Sequence, residues 1–407
     1  MKEISELEDK DLKGKTVIVR VDYNVPIQDG KVMDDLRIRA SFRTVGFLTG
    51  LGAKVLLISH IEGKGGSSLF PVSEHIHKKF MENSYPFDVN FIGAMNDAGE
   101  ESFKFAEIKE RILNLPEASV CLLENLRFDP REKQNDAHFA TSLATLGDMY
   151  VGDAFSVSHR AHASVVALPQ LFPHDHYAGF QIIDEVAHLE EGIHPPRPFI
   201  FILGGAKFDT KIPLIQKFIN KADNVVIGGA LLNDIMKAKG WGVGKSLVSD
   251  KDVDLSDIVD DPRLIFPSNL VVEDCATKTR STKKISEIGE NDAIMDVGES
   301  LTHKLKEVFH NLKEKGQSPF ILWNGPMGNY ESGYKEGTIS LAQLLIDSKV
   351  KALLGGGDTS AAISEGGLSS QIDGNPEIKN LIYISTGGGA MIDYLIDETL
   401  PGIEALK

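Results

Sequence analysis

The sequence predicts an α/β fold of two lobes, each a Rossmann-like, doubly wound and mainly parallel sheet flanked by helices, joined by a helix connector. The chain of 407 residues is longer than one hydrophobic core usually supports. Short apolar runs alternate with segments of helical spacing, the pattern of crossover units in a parallel sheet. A helical segment at 182–196, closed by two prolines, separates two halves that both follow this pattern.

In the first half of the chain, clusters of β-branched and apolar residues predict strands. A helix is predicted between the first two strands, because its segment has helical spacing and ends in glycine. The strands are predicted at 16–25, 53–59, 119–128 and 147–155, and the helix at 39–52.

In the second half, five apolar runs each end in glycine. Open α/β sheets bind ligands beyond the carboxyl ends of their strands, and glycine there lets the backbone approach a phosphate. One such ending could be only a tight turn, but five together predict a nucleotide site. The runs are 197–207, 224–230, 319–328, 350–359 and 381–390, and a helix is predicted at 211–222.

Composition limits the possible partners. A formal net charge of −16 argues against nucleic-acid binding, and no apolar stretch is long enough to span a membrane. The N-terminus is too polar for a signal peptide and too acidic for a transit peptide. The only two cysteines, Cys121 and Cys275, fit a reducing compartment. We therefore expect a cytoplasmic protein with no nucleic-acid or membrane partner. We also expect a monomer, although composition does not determine the oligomeric state.

Several common ligand-binding motifs are absent from the sequence. The segment GVGKS at 242–246 is similar to the end of a P-loop, but Lys239 stands where that motif requires glycine. No G-x-G-x-x-G, C-x-x-C or H-E-x-x-H motif occurs. Any nucleotide must therefore be bound by a different arrangement.

An ordered set of motifs along the whole chain resembles the phosphoglycerate kinase family. The resemblance implies reversible phosphoryl transfer from 1,3-bisphosphoglycerate to MgADP in glycolysis, giving 3-phosphoglycerate and MgATP, with Mg²⁺ as cofactor. The motifs are RVDYNVP (20–26), LLENLRF (122–128), DAFSVSHRAHAS (153–164), GGAKFDTKI (204–212), WNGPMGNYE (323–331), GGGDT (355–359) and STGGGA (385–390).

The resemblance implies a phosphoglycerate site in the first half, where the basic residues fall just after predicted strands or in the loops that follow them. Guanidinium groups suit phosphate and carboxylate because they offer planar paired donors and keep their charge. Asp22 and Asn24 would bind the glycerate, and four basic groups its phosphate. The implied substrate-binding residues are Asp22, Tyr23, Asn24, Arg37, His60, Ile61, Glu62, Gly63, Arg127 and Arg160.

The resemblance places the nucleotide in the second half. Lys207 and Lys211 stand one helical turn apart at the start of a predicted helix, Asp358 would contact Mg²⁺, and Thr359 is predicted to cap the following helix. The implied nucleotide-binding residues are Gly205, Lys207, Lys211, Gly228, Gly229, Asn324, Pro326, Glu331, Gly356, Gly357, Asp358 and Thr359. The implied catalytic residues are Lys207, Arg37 and Gly357.

The predicted domain organisation is discontinuous. The phosphoglycerate-binding domain comprises 1–181 and about 391–407, because the C-terminal segment resembles the family's tail, which returns to that lobe. The connector is 182–196, and the nucleotide-binding domain is 197–390. With substrates on different lobes, closure about the connector is expected to bring them together and exclude water.

Two departures from the family pattern leave questions open. The loop from His60 reads His-Ile-Glu-Gly-Lys and lacks the family's arginine, so Lys64 is a hypothetical replacement on the substrate phosphate, unless Glu62 neutralises it. Ser156 stands where glycine is expected, which would strain a backbone of positive φ. A catalytically impaired binding protein on the same fold and a Rossmann-type oxidoreductase remain as alternatives.

Overall fold

The chain divides into two compact units. A computed structural model describes residues 1–62, 67–82, 89–93, 103–206, 211–249 and 255–407. The first unit comprises Met1–Ala187 with Asp397–Lys407, and the second comprises His188–Ile396. The division at 187/188 lies within a helix, Phe180–Ile193.

The first unit is built on a parallel sheet in the order β5-β6-β4-β1-β7-β8. Central β1 is buried along its whole length and pairs with β4 and β7 on its two sides. A small hairpin, β2-β3, follows β1. The strands are β1 (Thr16–Val21), β2 (Ile27–Gln28), β3 (Lys31–Val32), β4 (Lys54–Ile58), β5 (Val89–Ile92), β6 (Val120–Leu123), β7 (Met149–Asp153) and β8 (His176–Ala178).

The first strand is shorter than the predicted 16–25. It ends at Val21 because the polar residues that follow turn the backbone. The backbone N–H of Asn24 donates to Oδ1 of Asp22 at 3.0 Å, a local side-chain bond that competes with strand pairing. Asp22 and Asn24 therefore lie beyond the carboxyl end of β1, not on it.

The helix predicted at 39–52 is two helices, divided at Ser41. The Ser41 hydroxyl donates to the carbonyl of Ile38 at 2.8 Å, a bond that disfavours a continuous helix. The first of the two, Leu36–Ala40, begins before the predicted helix, so Arg37 lies on a helix rather than in a loop. The helices up to the unit boundary are α1 (Asp9–Leu12), α2 (Leu36–Ala40), α3 (Phe42–Gly50), α4 (Phe70–Glu82), α5 (Phe105–Leu113), α6 (Ala137–Ala144) and α7 (Phe180–Ile193).

The second unit contains a parallel sheet in the order β11-β10-β9-β15-β16-β17. All five glycine-terminated runs supply strands of this sheet, which confirms that their endings share one edge. A separate antiparallel sheet, β13-β12-β14, was not predicted. The strands are β9 (Phe199–Leu203), β10 (Asn224–Ile227), β11 (Leu264–Ile265), β12 (Asn269–Asp274), β13 (Arg280–Lys284), β14 (Asp292–Val297), β15 (Phe320–Asn324), β16 (Lys351–Gly355) and β17 (Ile382–Ile384).

Helices connect these strands, and Pro213 lies in the first turn of the helix after β9, where proline is tolerated because its missing N–H would have no partner there. No helix in the described ranges has both the length and the apolar character needed to cross a bilayer. The helices are α8 (Ile212–Phe218), α9 (Gly229–Ala238), α10 (Ser256–Val259), α11 (Ser300–Glu314), α12 (Glu336–Ser348), α13 (Gly357–Glu365), α14 (Leu368–Asp373), α15 (Pro376–Lys379) and α16 (Gly389–Asp397).

The C-terminal segment belongs to the first unit. Its helix α17 (Pro401–Glu404) is anchored by the backbone N–H of Gly402, which donates to the carbonyl of Ser158 at 2.8 Å. Leu406 is buried against Gly152 of β7, where an added Cβ would lie 2.8 Å from the leucine Cδ1. The segment thus covers part of the central sheet.

Shortening Leu406 tests this packing. Leu406→Ala should lower the free energy of unfolding of the first unit by about 2–4 kcal/mol, because it leaves a cavity against β7. Urea unfolding followed by far-ultraviolet circular dichroism measures the loss. Leu113→Ala is the control, since Leu113 is 60% exposed and its removal should change little. Equal unfolding midpoints for the two variants would contradict the packing described here.

Candidate functional site

A cluster of basic side chains lies at the carboxyl edge of the sheet in the first unit. We call Arg37, His60, Arg127 and Arg160 the anion cluster. His60 follows β4, Arg127 lies in the 3-10 turn after β6, and Arg160 follows the 3-10 turn after β7. Arg37 reaches the same edge from α2, where its Nη1 lies 3.0 Å from the carbonyl of Asn24. These four predicted residues are therefore gathered at one edge.

Beneath the anion cluster, Arg20 is buried with only 1% of its surface exposed. Its Nε donates to Oγ of Ser164 at 2.8 Å, and its Nη2 donates to Nδ1 of His60 at 3.0 Å. Ser164 donates in turn from N and Oγ to the buried carboxyl of Glu132, at 3.0 and 2.6 Å. Burial of the Arg20 charge is thus offset by a chain of hydrogen bonds that also fixes His60.

His60 is held as a neutral imidazole with a defined tautomer. Burial, aided by the charges of Arg20 and Arg127, lowers its pKa far below the ordinary value. A guanidinium can only donate, so Nδ1 accepts from Arg20 and the proton resides on Nε2. Nε2 is buried and has no hydrogen-bond partner among the described residues. A buried donor without a partner beside arginines suits an oxygen of an anionic ligand.

Asp22 and Asn24 lie beside Arg37 of the anion cluster. Nη1 of Arg37 lies 3.0 Å from Oδ2 of Asp22, and the Ser156 hydroxyl donates to the same carboxylate oxygen. Ser156 lies in the 3-10 turn Phe155–Val157 and is not among the residues of positive φ. The strain considered for this serine therefore does not arise.

Two predicted substrate residues direct their side chains elsewhere. Tyr23 is fully buried, its hydroxyl lies 2.9 Å from Oγ of Ser41, and burial raises its pKa. Ile61 is also buried, with its backbone hydrogen-bonded to the Asn125 side chain at 3.3 and 2.9 Å. Their side chains support the loops rather than present polar groups. Gly63 and Lys64 lie outside the described residues.

Glu62 occupies the space between two arginines of the anion cluster. Its Oε1 lies 2.5 Å from Nη1 of Arg127 and 3.4 Å from Nη1 of Arg160. The hydrogen bond from Arg127 holds the pKa of the Glu62 carboxyl below its ordinary value. The Glu62 backbone N–H donates to Oδ1 of Asn24 at 2.9 Å. The anion cluster therefore already holds a carboxylate belonging to the protein.

In the second unit, the glycine-terminated loops surround a cavity of about 270 Å³. Gly229 has a φ of 60°, and a Cβ there would lie 2.5 Å from the backbone nitrogen of Gly205, so only glycine allows the loops after β9 and β10 to approach. Gly228 is the N-cap residue of α9, next to this contact. The predicted nucleotide residues that line the cavity are Gly205, Gly229, Pro326, Glu331 and Asp358.

The antiparallel sheet supplies cavity residues that the sequence analysis missed. Residues 294–297 of β14 line one wall, together with Asn233 of α9 and Leu247. Nδ2 of Asn233 donates to the carbonyl of Leu247 at 2.9 Å, while its buried Oδ1 has no partner among the described residues. Asn233 could have been found, because it stands four residues after Gly229 and so shares its face of α9. The wall from β14 has no comparable local signal.

Lys211 provides a buried cation close to this cavity. It caps the N-terminus of α8, and its ammonium donates to Oδ1 of Asn324 at the end of β15. Burial lowers the pKa of Lys211 to about 8, and the charge of Asp358 opposes that shift. A helix N-terminus with a lysine is suited to phosphate. Lys207 lies outside the described residues.

The prediction that Thr359 caps α13 is wrong. The cap is Gly356, whose φ of 109° strongly favours glycine, and the helix begins at Gly357. Thr359 is the third residue of the helix and is fully buried, and its Oγ1 has no partner in the described part of the chain. Asp358, in the first turn, lines the cavity.

Comparison with known proteins gives full-length matches. A family model described as phosphoglycerate kinase matches residues 7–398. A phosphoglycerate kinase of Dictyoglomus turgidum is 36% identical, and the match covers 100% of this chain and 99% of the relative. One of Herpetosiphon aurantiacus is 37% identical, with coverage of 97% of this chain and 96% of the relative. The structure of phosphoglycerate kinase from Pyrococcus horikoshii is similar with a TM-score of 0.80, 27% identity and coverage of 100% and 98% of the two chains. That from Coxiella burnetii has a TM-score of 0.75, 29% identity and coverage of 99% and 97%.

The pKa of Lys211 can be measured directly. In reductively ¹³C-methylated protein, its NMR signal should titrate near pH 8, because burial disfavours the charged form. Asp358→Asn should lower this pKa further, since the carboxylate that favours the ammonium is removed. Glu377→Gln, a change of equal charge outside the cavity lining, should leave it unchanged. A Lys211 signal that titrates near 10.5 in the unsubstituted protein would contradict the described burial.

Proposed function

The chain belongs to the phosphoglycerate kinase family, and we propose that it transfers a phosphoryl group reversibly from 1,3-bisphosphoglycerate to MgADP, giving 3-phosphoglycerate and MgATP in glycolysis. The family match confirms the resemblance inferred from the motifs and favours a kinase over an oxidoreductase. The observation that carries the proposal is the anion cluster, with a neutral histidine donor buried beside three arginines.

The first unit would bind the phosphorylated three-carbon acid. Asp22 and Asn24 would contact its hydroxyl and carboxylate, and the anion cluster would bind its phosphate. Nε2 of His60 and the buried Nε of Arg127, each without a partner among the described residues, are two donors that substrate oxygens could satisfy. Tyr23 and Ile61 would contribute through the backbone of the loops that they occupy, and Gly63 would contact the substrate by resemblance alone.

The second unit would bind the nucleotide. The cavity is lined mainly by apolar and glycine residues, with a smaller number of polar side chains such as Asn233 and Glu331, as expected for a purine pocket. Gly228 and Gly229 would flank the adenine, and Asn324 and Pro326 would contribute to the nucleoside pocket. Glu331, which lines the cavity, would bind the ribose.

The phosphate side of the nucleotide would face Lys211 and the start of α13. Gly205, Gly356, Gly357 and Thr359 would contact the phosphates through backbone or hydroxyl groups, and Lys211 would supply the charge. The helix N-terminus adds positive potential. By resemblance, Lys207 and Arg37 would stabilise the phosphoryl group in transfer, with Gly357 close to it.

The residues present fit a magnesium ion carried by the nucleotide. Asp358 contributes one carboxylate to the cavity, and no group of three or more His, Cys, Asp or Glu residues that could hold a metal alone occurs in the described ranges. Mg²⁺ is commonly bound by one or two carboxylates plus phosphate oxygens and water. Asp358 would hold the ion, which when bound neutralises charge on the phosphates.

The chemistry requires positioning rather than a protein base. The accepting carboxylate of 3-phosphoglycerate is already ionised near neutral pH. Phosphoryl transfer then depends on alignment and charge stabilisation. Because the two substrates would be held by different units, we propose a closing motion about α7, which contains the unit division. The proposal also takes the protein to act as a cytoplasmic monomer.

A coupled assay tests the proposal. The purified protein is supplied with 3-phosphoglycerate and MgATP, and formation of 1,3-bisphosphoglycerate is followed through its reduction by glyceraldehyde-3-phosphate dehydrogenase and NADH. We expect NADH oxidation that needs both substrates. Binding of both without turnover would instead indicate the impaired binding protein, and would overturn the proposed activity.

Asp358→Asn should raise the Mg²⁺ concentration needed for half-maximal rate by on the order of tenfold, because the amide keeps the shape but loses the anionic ligand. A Mg²⁺ titration of the initial rate at saturating substrates measures this change. Asp373→Asn, at an exposed aspartate paired with Lys379, is the matched control. Overlapping titrations of Asp358→Asn and the unsubstituted enzyme would show that Asp358 does not contact the metal.

A further inference from the structure

Glu62 is placed where an anionic ligand of the anion cluster would bind. Its Oε1 accepts from the terminal nitrogens of both Arg127 and Arg160, at 2.5 and 3.4 Å. Paired guanidinium groups of this kind are what a phosphate or carboxylate requires. The contact joins residues 65 and 98 positions apart in the sequence, so it is a feature of the tertiary structure.

The two ends of the contact differ in burial. The Arg127 side chain is 9% exposed, whereas the Glu62 side chain is 55% exposed. The arginine is thus fixed in the protein, while the glutamate can rotate into solvent at small cost. Its backbone stays held, because the Glu62 N–H donates to Oδ1 of Asn24 at 2.9 Å. Only the side chain needs to move for Arg127 and Arg160 to become available.

We propose that Glu62 is an internal competitor of the substrate and sets the affinity of the anion cluster for phosphoglycerate. In the free protein its carboxylate screens the repulsion between Arg127 and Arg160. The substrate's anionic group must displace the carboxylate to reach both guanidinium groups. The inference rests on the proposed function for the identity of the substrate, but the displacement itself requires only an anion.

The expected size of the effect follows from the exposure of the pair. An ion pair with one partner in solvent contributes modestly, since water and salt screen it. Removing the charge of Glu62 should therefore strengthen binding of an anion to the cluster by about three- to tenfold. The Glu62→Gln variant keeps the size of the side chain and its backbone contact.

The test compares Glu62→Gln with the unsubstituted protein by isothermal titration with 3-phosphoglycerate and, separately, with inorganic phosphate. Glu377→Gln is the control, because Glu377 is similarly exposed, at 59%, and pairs with Lys349 at 2.7 Å in the second unit. We expect Kd for both anions to fall about three- to tenfold in Glu62→Gln only. In the coupled assay, KM for 3-phosphoglycerate should fall and KM for ATP should not change.

Equal Kd values for an anion in Glu62→Gln and Glu377→Gln would overturn the inference. Either neither variant would then bind more tightly than the unsubstituted protein, or both would do so through the change in net charge alone. Weaker binding in Glu62→Gln would also overturn it, because Glu62 would then be a ligand of the substrate. A protein that does not phosphorylate 3-phosphoglycerate contradicts the proposed function instead. In that case the titration with inorganic phosphate still decides whether Glu62 competes for the arginines.

Discussion

Burial of the Arg20 guanidinium is the interaction on which the first unit's site depends. A charge with 1% exposure is tolerated only when its donors are satisfied, and Arg20 finds acceptors on Ser164, Val21 and His60. These contacts tie the end of β1 to the loops after β4 and β7. They also decide which imidazole nitrogen carries a proton. The hydrogen bonds of Arg20 therefore hold the residues beneath the anion cluster in fixed positions, and a site for a small, highly charged acid needs such preorganisation.

The second unit also has a site suited to an anionic ligand, but that site is formed mainly by backbone groups rather than by arginine side chains. Glycines at 205, 229 and 356 let strand ends and helix starts approach closely around a cavity. Positive potential comes from helix N-termini and from Lys211, whose pKa is lowered by burial to about 8. In a protein of net charge −16, positive groups are thus concentrated at the edges of the two main parallel sheets, where the proposed function requires anionic substrates to bind.

Local patterns predicted the parts of the structure that local interactions determine. The five glycine-terminated strands and the order of the motifs are read from neighbouring residues, and the strands fall in one sheet as expected. The antiparallel wall from β14 was missed, because β14 places the polar Asp292 and Asp296 at buried positions on either side of Ile294, so it lacks an apolar alternation. Its neighbour in the sheet, β13, consists of polar residues and has no apolar run. The prediction that Thr359 caps α13 was wrong because Gly356 occupies the N-cap position of that helix. The contact of Glu62 with Arg127 joins distant segments, so no sequence spacing reveals it.

The central claim is that each unit binds one substrate. Hydrogen–deuterium exchange followed by mass spectrometry measures it directly in the full-length protein, with 3-phosphoglycerate and ADP added separately. We predict that 3-phosphoglycerate slows exchange in peptides containing Asn24, Arg127 and Arg160, and that ADP slows it in peptides spanning 228–233 and 326–331. Protection of the second set by 3-phosphoglycerate alone, or of the first set by ADP alone, would contradict the account.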